Sequence, residues 1–293
     1  MLIVTDRGMD LTPEQLQGLT IHQVPLFLTL EGKTYRSGED ITADEFYRLI
    51  QESLDLPTTS LPSPGDFAEL YRKLAAQDPD ILSIHISLGL SGTLNSARRG
   101  AEMVPEARVT FYDTKTLSAA EGWHVEAAAR AAQAGWPLER ILPMLEQITR
   151  AIETIYTLPT LKYLIHGGRI SHLKGLLASV LNIKPIIGVT KDTGMYYQRG
   201  QVRAFNQAVR KLADVVAETH KPGTPLRVQI MHTMNLEAVA LLQETMEARF
   251  ECHWLPTGVV APVLGAHTGV GLIGIAYAAL EEYPELPPLP SAS

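Results

Sequence analysis

The sequence is poor in the residues that disulfides and thiolate metal sites need. Cys252 is the one cysteine among 293 residues, which excludes an internal disulfide and a cysteine-based metal site. The first residues, Met-Leu-Ile-Val-Thr-Asp-Arg-Gly, lack the basic stretch and the longer apolar run of a secretory signal peptide. The pattern therefore predicts a protein of the reducing cytoplasm.

Positive charge is also in short supply. The formal net charge is −7, and this balance argues against nucleic acid as the main partner, because phosphate binding requires a cationic surface. Charged residues make up only 19% of the chain and hydrophobic residues 45%. This composition indicates a folded protein with a large core rather than a disordered chain, and the length favours two domains.

One uncharged stretch has the length of a membrane span. Residues 257–280 contain no Asp, Glu, Lys or Arg, but they include Pro262, His267 and five glycines. A transmembrane helix needs about 20 predominantly apolar residues in succession. Proline and glycines at these positions suit a strand, a tight loop and a buried helix better, so no stable membrane insertion is expected.

Short β-branched runs alternate with helical patterns, the order that βαβ units produce. Thr42 with Glu45 forms a possible capping box, and Ser63 before Pro64 and Asp66 is a strong helix start. Strands are predicted at 2–5, 23–30, 81–86, 109–112, 185–189, 227–231 and 252–257. Helices are predicted at 93–103, 119–134, 137–152, 205–219, 235–249 and 269–281.

These patterns predict an α/β protein of two domains. The sequence Thr157-Leu158-Pro159 interrupts the helical pattern, which favours a boundary near 155–160. We therefore predict an N-terminal α/β domain at 1–158 and a C-terminal α/β domain at 159–283. The proline-rich residues 284–293 are predicted to form a flexible tail.

Two hydroxyl-rich loops precede helices. In the segment 58–67, Ser63 is explained as a helix cap, but Thr58, Thr59 and Ser60 are not. In the segment 87–97, small hydroxyl residues and glycines follow a strand and open a helix. Free backbone N–H groups and the positive end of the helix dipole favour an anion there, and a simple capped turn is the alternative.

Two glycine-rich segments lie in the second half of the chain. Arg169 follows Gly167-Gly168 directly, and the alternative to a functional role is a helix C-cap with a solvated arginine. His267 lies in the segment 264–274 beside small residues that allow close approach of a ligand. A lone histidine is more often structural, so this motif alone leaves both interpretations open.

Known catalytic motifs are not matched. The segment 89–93 fails the serine hydrolase elbow at its last position and lacks the Gly-Lys-Ser/Thr of a P-loop. The glycines at 269, 271 and 274 resemble a dinucleotide motif, but the second strand with its acid does not follow. Asp113 follows a strand and could be a base or a loop cap, and Arg203 belongs to a basic run that could be a solvated face.

Taken in chain order, these segments resemble the DegV family across nearly the whole chain. Residues 59–63 match the element Thr-Ser-x-Pro-Ser, and residues 86–97 match the hydroxyl loop except that Leu88 replaces a serine. Residues 167–170 match Gly-Gly-Arg-Ile, and residues 183–186 match Ile-Lys-Pro-Ile.

The resemblance extends to the late and middle elements of the family. Residues 267–271 match His-Thr-Gly-Pro-Gly with Val270 in place of proline, and Asp113, Ser118 and Gly122 agree with a further element in which Ala120 replaces a glycine.

The resemblance implies two α/β domains with a fatty acid bound between them. By this resemblance Thr59 and Ser91 would hold the carboxylate, Gly92 and Thr93 would supply loop amides, and His267 would join the same network. The protein would need no cofactor or metal and would catalyse no reaction itself. It would present its long-chain fatty acid to a separate fatty acid kinase.

The resemblance assigns the partner contact less firmly, and two other functions stay open. Arg169 and Arg203 would lie nearer the mouth as candidate kinase contacts. An enzyme acting on a small phosphorylated or carbonyl substrate, with His267 or Asp113 as base, predicts a wet, polar pocket. A lipid-sensing regulatory module predicts the same apolar tunnel without a kinase.

Overall fold

The structure is a computed structural model that describes residues 1–173 and 183–289. In this part of the chain the strands are β1 (Leu2–Asp6), β2 (His22–Val24), β3 (Phe27–Leu30), β4 (Lys33–Arg36), β5 (Thr58–Ser60), β6 (Asp80–His85), β7 (Arg108–Asp113), β8 (Glu153–Thr157), β9 (Lys184–Val189), β10 (Tyr196–Val202), β11 (Pro225–His232), β12 (Glu251–Trp254), β13 (Gly258–Val259) and β14 (Ile273–Ala279). The helices are α1 (Pro13–Leu16), α2 (Ala43–Glu52), α3 (Pro64–Ala75), α4 (Thr93–Glu102), α5 (Ser118–Gln133), α6 (Leu138–Ala151), α7 (Lys162–His166), α8 (Phe205–Val216), α9 (Leu236–Glu247) and α10 (Pro262–Thr268), with a 3-10 turn at Arg169–His172. The predicted α/β class is confirmed.

A parallel sheet forms the centre of the N-terminal domain. Its strands lie in the order β2-β1-β6-β7. The alternation along β1 places Val4 against α3 and α4 and Ile3 against α5 and α6. Because helices cover both faces, β1 and β6 are buried almost throughout, which explains their continuous apolar runs.

A mixed sheet forms the centre of the C-terminal domain. Within the described residues its order is β10-β9-β8-β14-β11-β12, with β13 beside β11. One face is covered by α8 and α9. The other face packs against α5 of the N-terminal domain, where Ala119, Ala120 and Trp123 contact the cluster that contains Tyr156 and Ala276. The two domains therefore share an apolar interface.

A small antiparallel sheet completes the N-terminal domain. Its order is β4-β3-β5. Its apolar face and helix α2 bury Leu28, Phe46 and Tyr47 together with Ala266 of α10. This packing brings α10, which leads into the last strand of the other sheet, against the N-terminal domain.

Both predicted helix caps are confirmed. Thr42 and Glu45 bond each other's backbone N–H groups at the start of α2, and Ser63 and Asp66 do the same at α3. These reciprocal bonds satisfy amides that the helix itself leaves without partners.

Two predicted elements are wrong. The run 23–30, predicted as one strand, is divided between β2 and β3 in different sheets, and Pro25 between them cannot donate a ladder hydrogen bond. The helix predicted at 269–281 is the strand β14, buried along its whole length between β8 and β11. A short apolar run without a polar face does not distinguish a buried helix from a buried strand.

The uncharged stretch 257–280 is divided between β13, α10 and β14. Among the described residues, no helix is both long enough and apolar enough to cross a membrane.

A buried carboxyl pair lies beneath β1. Glu121 on α5 and Asp6 at the end of β1 are both fully buried. Burial, followed by the charges of Asp6 and Asp10, raises the pKa of Glu121 well above its ordinary value of 4.5. Glu121 therefore keeps its proton in the folded protein over a range in which the unfolded chain has released it.

We expect the free energy of unfolding to fall as pH rises above the ordinary pKa of Glu121. Unfolding releases the retained proton, so this group contributes a slope of up to about 1.4 kcal/mol per pH unit. Glu121→Gln cannot titrate and should flatten the profile and stabilise the protein at alkaline pH. Urea unfolding between acidic and alkaline pH measures this, with the exposed Glu106→Gln as control. Parallel profiles for wild type and Glu121→Gln would contradict the assignment.

Candidate functional site

The loop between β6 and α4 presents hydroxyl groups at a helix N-terminus. Helix α4 begins at Thr93 with Gly92 as its N-cap residue. The Ser91 and Thr93 hydroxyl oxygens lie 2.8 Å apart, and the Thr93 amide donates to Ser91 Oγ at 3.4 Å. Since the first amides of a helix lack partners within it, this loop is suited to an anion.

The turn between β9 and β10 holds this loop in place. Ser87 Oγ donates to the carbonyl oxygen of Gly194 at 2.9 Å. A Cβ atom at Gly89 would lie 2.4 Å from the carbonyl oxygen of Thr193. Glycine is therefore required at position 89, because any side chain would push the C-terminal domain away from the hydroxyl loop.

Thr59 and His267 bring the two ends of the sequence together. Thr59 lies on β5 and His267 near the end of α10, and Thr59 Oγ1 lies 2.8 Å from His267 Nε2. Burial, with further contributions from the charges of Arg169 and His166, lowers the pKa of His267 to about 3. The imidazole is therefore neutral at physiological pH.

The environment of the ring suggests its tautomer. His267 Nδ1 is buried and has no hydrogen-bond partner among the described residues. An unpaired buried acceptor is tolerated better than an unpaired N–H, which favours the proton on Nε2. In that tautomer His267 donates to Thr59 Oγ1, and the single hydroxyl hydrogen of Thr59 is free to point at a ligand.

These side chains border one cavity of about 250 Å³. It is lined by Leu26, Thr59, Ser60, Leu61, Ile86, Leu90, Ser91, Arg169, Tyr196, Val263, Leu264 and His267. Polar groups cluster on part of the wall and aliphatic side chains form the rest. Leu61 is 42% exposed, which marks its part of the wall as the side open to solvent.

A second, apolar cavity of about 40 Å³ adjoins the first. Both are lined by Tyr196 and Leu264. The remaining wall residues are Leu117, Ser118, Ala119, Ala120, Thr154, Ile155, Tyr156, Met231, Val260, Thr268, Leu272, Gly274, Ile275 and Ala276. This cavity lies at the apolar interface between the domains, and its described wall contains no charged residue.

The structure brings four of the predicted residues to the first cavity: Thr59, Ser91, Arg169 and His267. Gly92 and the buried Thr93 follow Ser91 directly at the start of α4. Arg169 lies in the cavity wall, where its guanidinium donates to the carbonyl oxygen of Gly167 at 2.7 Å.

Three further predicted positions lie elsewhere. Arg203 is exposed after β10, and Asp113 accepts from the amides of Leu88 and Lys115, as a loop cap does. Five apolar residues recur at helical spacing after the Gly-Gly-Arg turn, a pattern that predicts either a pocket wall or ordinary core packing. The first of them, Leu173, is buried. The other four, Leu176, Leu177, Val180 and Leu181, lie outside the described residues.

Sequence reasoning missed Tyr196 and Leu264, the two residues shared by the cavities. Tyr196 opens the unpredicted strand β10, and Leu264 lies in a run that has no helical polar face. Among the described residues, no group of three or more His, Cys, Asp or Glu side chains is placed to hold a metal ion.

Comparison with known proteins identifies the class. The family model described as "Uncharacterised protein, DegV family" matches residues 1–280. A DegV domain-containing protein of Listeria innocua is 31% identical over 276 residues, which is 94% of this chain and 97% of the relative. The chain belongs to the DegV family.

Solved structures of the same family have the same fold. A DegV family protein of Thermus thermophilus, described by its fatty acid binding, superposes with a TM-score of 0.85 at 31% identity, covering 95% of this chain and 99% of that one. DegV of Bacillus subtilis, described as a fatty acid binding protein, gives a TM-score of 0.83 at 27% identity, covering 95% and 98%. The two-domain α/β architecture is therefore that of the family.

The close approach of Gly167 to His267 gives a test of the site. A Cβ atom at Gly167 would lie 2.1 Å from His267 Nδ1, so Gly167→Ala should push the ring out of the wall and raise its pKa from about 3. Gly168 has a φ of +75° in open space, so Gly168→Ala should cost about 1–2 kcal/mol of stability without moving the ring. Titration of the imidazole by NMR compares the two variants; an unchanged pKa in Gly167→Ala would contradict the packing.

Proposed function

We propose that this protein binds a long-chain fatty acid, with its carboxylate at Thr59, Ser91 and His267 and its acyl chain along the apolar walls of the first cavity toward the smaller apolar one. The observation that supports this most is the shape of the site. The larger cavity has hydroxyl groups and an arginine on its wall, and it shares Tyr196 and Leu264 with a second, apolar cavity. A ligand that fits both needs an anionic end and an apolar end.

The head group would be held by neutral donors and one positive charge. The hydroxyls of Thr59 and Ser91 and the first amides of α4 offer hydrogen bonds, which are stronger to an ionised acceptor than to a neutral one. Arg169 adds a positive charge to the same wall. Hydroxyls at a helix N-terminus suit a carboxylate better than a metal-bound phosphate.

The acyl chain would supply most of the affinity. Burying a methylene group contributes roughly 0.8 kcal/mol, so a long chain contributes on the order of 10 kcal/mol before costs. Ordering the chain and losing free motion offset part of this gain. Sub-micromolar binding is then reasonable, and lipid should remain bound through purification.

The proposal extends to presentation of the fatty acid to a separate fatty acid kinase. In this proposal the protein itself performs no chemistry, since no activated nucleophile lines the cavity within the described part of the chain. The exposed Arg203 is a candidate contact for the kinase, because rim charges mostly set encounter rates. Arg169 lines the first cavity, so in this proposal it contacts the carboxylate of the fatty acid. It would reach the kinase only at the opening of that cavity.

The alternative of an enzyme with His267 or Asp113 as base is disfavoured by two observations. A histidine whose pKa is lowered to about 3 is a weak base at neutral pH. Asp113 Oδ1 is occupied by two backbone amides. A lipid-sensing module would use the same cavities and differs only in its partner.

Removal of the hydroxyls tests the head-group assignment. Thr59→Ala and Ser91→Ala should each weaken palmitate binding by about 1.5–3 kcal/mol, the range for a lost hydrogen bond to a charged group. Calorimetric titration measures the affinities, and Thr34→Ala on the exposed strand β4 is the matched control. Unchanged affinity in both site variants would rule out the carboxylate assignment, and the absence of lipid in mass spectra of extracts, together with no palmitate binding, would rule out the function.

Charge reversal separates the two arginines. Arg203→Glu should slow acyl phosphate formation by a cognate fatty acid kinase while palmitate affinity stays that of wild type. Arg169→Glu should weaken palmitate binding itself, because it places a negative charge in the wall beside the carboxylate. Lipid titration and a coupled kinase assay on both variants measure this. If Arg203→Glu leaves the kinase rate unchanged, Arg203 is not a partner contact.

A further inference from the structure

Helix α10 belongs to the C-terminal domain by sequence but is held by side chains of the N-terminal domain. It lies between β13 and β14 of the C-terminal sheet. Val263, Leu264 and His267 on this short helix all line the first cavity. The position of α10 therefore decides whether the imidazole of His267 reaches Thr59.

Two buried neutral side chains make part of this attachment. Tyr47 donates to the carbonyl oxygen of Val260 at 2.8 Å, and Ser37 accepts from the amide of Val263 at 3.2 Å. The ring of Tyr47 also lies directly against Gly265, where a Cβ atom would be 2.3 Å from the hydroxyl oxygen. These contacts set the distance between α10 and α2.

Asp10 makes a third attachment and differs from the other two. Its Oδ1 accepts from the amide of Ala261, the N-cap residue of α10, at 2.9 Å. Its Oδ2 accepts from Ser118 Oγ at 2.5 Å at the start of α5. In a capping box the side chain three residues on accepts from this amide, but that residue is the apolar Leu264. A carboxyl group distant in sequence therefore accepts from it instead.

Through these two bonds Asp10 links α5 and α10, the elements whose residues line the two cavities. Ser118 lines the apolar cavity and has a φ of +58°, a conformation that the surrounding bonds must maintain. Its amide donates to the carbonyl oxygen of Gly8 at 2.9 Å, and its hydroxyl to Asp10. One carboxyl group therefore sets the start of α5 and the start of α10 relative to each other.

We infer that Asp10 is a positioning residue for the fatty acid site, which holds α10 where His267 meets Thr59. This inference rests on the proposed function. Asp10 itself does not line the head-group cavity, so its effect on a fatty acid must pass through α10. Loss of Asp10 should then matter through the contact between His267 and Thr59, and not independently of it.

A double-mutant cycle separates this role from a general structural one. Palmitate affinity is measured for wild type, Asp10→Ala, Thr59→Ala and the double variant. Asp10→Ala should weaken binding about tenfold in the wild-type background, the effect of losing one hydrogen bond to a charged group. In the Thr59→Ala background the same change should weaken binding by about threefold or less, because the contact that it positions is already gone.

Conservative variants of Asp10 keep the test valid if Asp10→Ala does not fold. Burial raises the pKa of Asp10 to about 7, against the lowering effect of its bonds to Ser118 and Ala261. A neutral amide is therefore a fair substitute, and Asp10→Asn, which keeps an acceptor for the Ala261 amide, should recover most of the lost affinity. If Asp10→Ala does not fold, Asp10→Glu, which displaces the oxygens by one methylene, takes its place in the cycle. The exposed Asp55→Ala is the control.

The outcomes distinguish this inference from the proposed function. Equal weakening by Asp10→Ala in both backgrounds, or wild-type affinity in Asp10→Ala, would overturn the positioning role while leaving fatty acid binding intact. Failure of the wild-type protein to bind palmitate at all would overturn the proposed function.

Discussion

The hydrogen bond between Thr59 and His267 is the contact on which the site depends. It joins a strand of the small N-terminal sheet to a helix that leads into the last strand of the C-terminal sheet. A carboxylate bound at a domain interface loses its water, and the interface must return enough hydrogen bonds to compensate. With the imidazole neutral, this pair can direct a hydroxyl hydrogen at the ligand without adding a second titrating group.

The rest of the architecture maintains that contact. Gly89 and Gly167 leave room for groups that pack against them. The backbone of Thr193 occupies the space where a Cβ atom of residue 89 would lie, and the imidazole of His267 does so at residue 167. Packing of α5 against the C-terminal sheet then supplies the apolar walls behind the polar end. An amphipathic cavity arises from two domains that each contribute part of it, which is why neither half of the sequence contains a complete site.

Local signals in the sequence predict the helices that begin with a capping box. Thr42 and Ser63 lead reciprocal caps whose bonds involve only four neighbouring residues, so they can be recognised without tertiary information. The α/β class followed from alternating patterns for the same reason. Thr59, Ser91 and His267 were found by resemblance to a family, since hydroxyl loops and a single histidine do not identify a ligand by their chemistry alone.

Features that depend on distant partners could not be predicted. The sequence predicts a helix where β14 lies, because burial on both faces removes the alternation of polar and apolar residues that marks a strand. Tyr196 and Leu264 line both cavities, and Asp10 accepts from the amide of Ala261, only because the fold brings distant segments together. The domain boundary near residue 158 and the mobility of the tail stay predictions.

A crystal structure of the complex with palmitate tests the proposed site most directly. We expect carboxylate oxygens within about 3 Å of Thr59 Oγ1 and Ser91 Oγ, and an acyl chain that passes Tyr196 and Leu264 toward the apolar cavity. Palmitate bound elsewhere, or bound with its carboxylate in solvent, would contradict the proposed site.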